Sequence, residues 1–70
     1  MEARIVTDSS SGDKTGILEL GLDDGYHVGT IVMLTLDKDG VPTVTIDTPQ
    51  DTETHEVMDV FMNDAKARWF

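Results

Sequence analysis

Several short constellations in this chain carry residue types at spacings that chemistry can use. Asp37-Lys38-Asp39-Gly40 opens like a calcium loop, with alternate carboxylates as oxygen ligands and a glycine that permits a bend. A complete loop of that kind needs another ligand at its fifth position, glycine at its sixth and a bidentate glutamate at its twelfth. Here the glycine comes fourth and strand-like residues follow, so the segment reads as a hairpin turn. Gly12-Asp13-Lys14-Thr15 has a superficial likeness to a phosphate-binding loop, but Asp13 separates the glycine from the lysine and a strand follows instead of a helix N-terminus. It reads as a connector.

Asp51, His55 and Asp59 are spaced four apart and, on a helix, would present oxygen, nitrogen and oxygen along one side. Zinc usually takes four ligands at about 2.0–2.2 Å. Only adjacent pairs of these three are well placed, and Asp51 is better used in capping, so neither a metal site nor a cofactor is expected. His27 reads as a solvated side chain on a strand. The serines are Ser9, Ser10 and Ser11, all in one polar loop, with no defined spacing to either histidine. Carboxylate pairs are uninformative among 14 acids. A chain of 70 residues also leaves little room beside its core for a ligand pocket of about 300 Å³ or more. The expectation is a protein without catalytic residues or a small-molecule substrate, hence not an enzyme.

Composition narrows the partners. The formal charge is −9, from 14 Asp and Glu against five Lys and Arg, which repels phosphate and disfavours direct nucleic-acid binding. With no cysteine, neither a disulfide nor a thiolate metal site can staple a core this thin, and a second subunit is the staple expected. No apolar run approaches the roughly 20 residues that cross a bilayer, and the N-terminus MEARIVTD lacks the basic flank and apolar segment of a signal peptide. A cytoplasmic location with no membrane contact is the expectation.

The elements that position these residues follow from periodicity. Residues 2–8 form a short strand without clean alternation, in which either Ala3, Ile5 and Thr7 or Arg4, Val6 and Asp8 face inward. Leucines at 18, 20 and 22 give residues 16–22 the period of two of a half-buried strand. Asp23-Asp24-Gly25 reads as a three-residue loop with positive φ at Gly25, pairing Leu22 with Tyr26, Leu20 with Val28 and Ile17 with Ile31. Strands 26–37 and 41–48 are joined by Lys38-Asp39-Gly40. A one-residue slip inverts every side chain, and only the register pairing Asp37 with Val41 sends Val32, Leu34, Val44 and Ile46 to the core. Positive φ at Gly40 is required.

Thr48-Pro49-Gln50-Asp51 carries helix-start signals, namely a hydroxyl cap, a proline at the first position and an acid in the first turn. A helix over 50–69 then aligns Val57, Met58, Phe61, Met62, Ala65 and Trp69 in one apolar stripe. Lys66 and Arg68 suit its C-terminal dipole, Asp64 and Arg68 form an i,i+4 pair, and Val60 and Phe70 lie off the stripe. The fold expected is α+β, a single domain over residues 1–70 in which a four-stranded antiparallel meander carries one C-terminal helix on its leucine face. An alternative closes the first strand on the fourth as a small partial barrel.

One helix leaves the outer sheet face bare. Ile17, His27, Ile31, Met33, Thr43 and Thr45 make a mildly apolar strip there, a patch rather than scattered residues. The expected function is a protein-interaction module, self-associating as a homodimer through this face or an edge strand. The alternative is an acidic inhibitor, such as a phage-type antagonist, that occupies a basic groove of its target. A small hydrolase or metal-dependent enzyme is the third reading, and it needs a pocket joining histidine and carboxylates.

Overall fold

A computed structural model describes the backbone of residues 2–69, and the side chains of residues 2–65 apart from Lys14. Five antiparallel strands follow one another in space as in the chain: β1 (Glu2–Thr7), β2 (Lys14–Leu22), β3 (Gly25–Leu36), β4 (Pro42–Asp47) and β5 (Thr52–Glu56). One helix, α1 (Asp59–Trp69), closes the chain. The α+β class, the meander and the C-terminal helix agree with the sequence reading. Among the described residues, no helix is long and apolar enough to cross a membrane.

The expected count of four strands, and a helix from residue 50, are corrected. The Thr48 hydroxyl receives hydrogen bonds from the Gln50 and Asp51 amides at 3.3 and 3.0 Å, as a helix cap would. It also donates to the Asp51 carbonyl at 2.8 Å, and the Thr48 amide bonds that same carbonyl at 2.8 Å. Together these close a tight turn that returns the chain beside β4. Thr52 and Thr54 are β-branched and favour the extended state, so Thr52–Glu56 adds a fifth strand. The helix starts two turns late, at Asp59. Val57, Met62 and Ala65 of the expected stripe are buried, Phe61 packs against the core, and Met58 is exposed. The expected roles of Lys66, Arg68, Trp69 and Phe70 lie outside the described side chains.

Both turn glycines have positive φ, 124° at Gly25 and 80° at Gly40. The second hairpin has the expected register, with Leu34 opposite Val44 and Thr35 opposite Thr43. The Asp37 amide donates to the Val41 carbonyl at 2.9 Å, and the Asp37 carboxylate accepts the Asp39 and Val41 amides at 2.8 and 2.9 Å. The first acid of the calcium-like motif, Asp37, is thus engaged in closing the turn.

The first hairpin departs by one residue. Its loop is Asp23-Asp24 alone, Leu22 pairs with Gly25, and Leu20 meets His27 instead of Val28. A slip of one inverts the first half of β3, so His27, Gly29 and Ile31 join the leucine side while Tyr26 and Val28 turn outward. The two halves of β3 are reconciled at Val32. Ile31 pairs with Ile46 and Met33 with Thr45, leaving Val32 as the extra residue of a β-bulge. The core therefore holds Ile31 where Val32 was expected.

Gly29 lies where β3 changes partners from β2 to β4. A side chain there would place its Cβ 2.7 Å from the Asp47 carbonyl oxygen, so only glycine fits. The core consists of Ile5, Leu18, Leu20, Ile31, Val44, Ile46, Val57, Met62 and Ala65. On β1 it is Ala3 and Ile5 that face inward, paired with Leu20 and Leu18. Ala3 of β1, Val41 beside β4 and Phe61 of α1 line one cleft, which shows how far the sheet coils around this core.

Candidate functional site

The outer face, opposite the helix, is built on β3. Alternation along the strand places Tyr26, Val28 and Thr30 outward, and the bulge then presents both Val32 and Met33. Tyr26 is 72% exposed, Val32 57% and Met33 52%, values that make the row accessible along its length. Tyr26 lies over Gly21 of β2, its ring edge 3.3 Å from where a Cβ would stand. Beside it, Glu2, Arg4, Glu19, Tyr26 and Val28 line an open groove of about 420 Å³. Arg4 and Glu19 are paired across it at 3.5 Å. Strand pairing places Glu19, Asp47 and Glu56 on this face with Glu2, so the apolar row has an acidic margin relieved by Arg4.

Of the six residues expected to bind a partner, Ile17 and Met33 stand on this face and remain accessible, Ile17 half-buried opposite Thr30. Ile31 is corrected to the core at 9% exposure, because the slip and the bulge turn it inward. His27 is corrected to the helix side for the same reason. Thr43 and Thr45 lie on the outer face but are buried. Thr45 and Thr54 share a hydroxyl hydrogen bond of 2.9 Å, and the Thr43 hydroxyl donates to the Thr35 carbonyl at 3.3 Å. Neither hydroxyl is left to recognise a partner. Sequence reasoning missed Tyr26, Val28 and Val32. The signal that points to Tyr26 and Val28 is the two-residue loop, which fixes their parity.

A second constellation lies on the helix side and brings together residues the sequence reading kept apart. His27 Nδ1 is 2.8 and 3.0 Å from the two oxygens of Glu53, and its Nε2 is 2.9 Å from Asp24. His55 Nε2 is 2.8 Å from Glu53, and the two imidazoles meet edge to face at 6.4 Å. Glu53 and His55 are two apart on β5 and so share a face, which helical spacing concealed. Ionised carboxylates only accept, so this geometry suits a His27 ring that donates from both nitrogens, the imidazolium form. The Glu53 hydrogen bond, then that of Asp24, raises the His27 pKa above its ordinary 6.5. The His55 hydrogen bond, opposed by partial burial and followed by that of His27, lowers Glu53 below its ordinary 4.5.

Both ring nitrogens of His27 are thus occupied by carboxylates. The expected Asp51-His55-Asp59 series is dispersed over a turn, a strand and a helix start. Among the described residues, no group of three or more His, Asp or Glu side chains has the geometry to hold a metal ion. Comparison with protein-family models, curated proteins and solved structures finds no significant match.

Proposed function

We propose that this chain is a non-enzymatic interaction module that self-associates through the outer face of its sheet. The observation that supports this most is the exposed row Tyr26, Val28, Val32 and Met33 on one strand, flanked by the half-buried Ile17. An apolar row of this length beside an open groove is the kind of surface that a partner covers. In a two-fold pairing the same row meets its own copy, which requires only self-complementarity along β3.

Sedimentation of the purified chain tests the proposal. A dimer that becomes monomeric on Val32→Asp, and that strengthens as salt screens the like charges of the two copies, is the supporting result. A wild-type monomer at high salt overturns it.

The acidic margin favours a second reading. A partner with an apolar centre and a basic rim complements this face, in keeping with the overall charge of −9 and with an acidic inhibitor of a basic groove. Salt separates the two, because it strengthens association between acidic copies and weakens docking on a basic surface.

A further inference from the structure

The two ring nitrogens of His27 are taken by carboxylates from different parts of the fold, Asp24 in the β2–β3 turn and Glu53 on the edge strand β5. β5 is otherwise held along one side, by its pairing with β4. Glu53 reaches past β4 to β3, and it also holds His55 on its own strand. We propose that His27 is a proton-operated latch that fastens the edge strand β5 to the β2–β3 turn. Charged His27 bridges two carboxylates. Loss of its proton leaves a ring that can donate from one nitrogen only, so one carboxylate faces a lone pair and the bridge opens.

The surroundings of His27 leave the latch to these groups. Leu20 is its partner on β2, and the remaining residues of the adjoining cleft are Tyr26, Val28, Thr48 and Gln50. The described α1 side chains of the core are Phe61, Met62 and Ala65, none of them titratable. Among the described residues, the charges that act on His27 are Glu53 and Asp24, with His55 reaching it through Glu53. The His27 pKa is raised, so the latch is shut below the ordinary value of 6.5 and opens as pH rises through the raised one. On the acid side it opens as pH falls through the lowered pKa of Glu53.

Nuclear magnetic resonance on the whole chain tests this with two readouts, the imidazole titrations and the exchange of β5 amides relative to β2 amides. The expected result is a His27 titration above the ordinary value and a β5 protection, relative to β2, that falls across that same titration. The fall is about tenfold for each unit by which the pKa is raised. Asp24→Asn, an exposed turn change that leaves β5 untouched, is expected to lower both the His27 titration and the pH at which β5 loosens. An ordinary His27 titration overturns the proposal. So does β5 protection that stays in constant ratio to β2 across the titration, or that does not move in Asp24→Asn.

Discussion

Ile31 and Met33 are two positions apart on one strand yet face opposite sides of the sheet. In a regular strand such residues share a face, and the bulge at Val32 divides them. The division separates a core residue, 9% exposed, from a surface one, 52% exposed. Aspartate at the two positions therefore has unlike effects. Ile31→Asp buries a charge without a partner and is expected to cost at least about 3 kcal/mol, enough to unfold much of a thin-cored chain. Met33→Asp is expected to stay within about 0.5 kcal/mol. Urea unfolding of both variants checks the difference, and equal losses would place both residues on one face.

Gly29→Ala is expected to destabilise the fold through overpacking. Its new methyl group would stand 2.7 Å from the Asp47 carbonyl oxygen and 3.1 Å from a Thr48 methyl. Backbone cannot rotate away as a side chain can, so a loss of about 1–3 kcal/mol is expected. A thermal melt reports it as a lowered midpoint.

At Gly40 the strain is conformational, not steric. Its φ of 80° is left-handed, and no atom lies within 4 Å of a would-be Cβ. Alanine there is expected to cost about 1–2 kcal/mol. Gly40→Asn, which tolerates this region better, recovers part of it. A recovery that fails in chemical denaturation would assign the cost to something other than φ.

The two shifted groups of the histidine cluster define a stability plateau. His27 is raised above 6.5, so its contribution is fully present below that ordinary value and is lost as pH climbs through the raised one. Glu53 is lowered below 4.5, so its contribution is complete above that value and is lost as pH drops through the lowered one. The melting midpoint of the wild type is expected to fall away on both flanks of this window, and Glu53→Gln is expected to flatten both. A variant with unchanged flanks would show that other groups set the pH profile.

Legibility in the sequence followed the range of the interaction. The turn at Gly40 was readable because aspartate, glycine and flanking apolar alternation all act locally, and the pairing of Leu34 with Val44 came with it. Tyr26 and Val28 were misplaced because Asp23-Asp24-Gly25 suits a loop of either two or three residues, and parity depends on which one forms. The bulge at Val32 has no local marker. It is favoured by what lies across the sheet, where Ile46 takes Ile31 as its partner. Residues 48–51 misled through real chemistry, since one hydroxyl can cap a helix or close a turn. His27 and Glu53 are 26 positions apart, a distance over which no periodicity in the chain carries information.

The order of the strands has a kinetic consequence. Each strand hydrogen-bonds only to its neighbours in sequence, so the sheet assembles from successive hairpins, each closing a short loop at small entropic cost. The helix is different, because it packs on β2 as well as β4 and must return across most of the chain to do so. In refolding, the sheet signal is expected to develop ahead of the burial of Met62 and Ala65, making helix docking the late, non-local step.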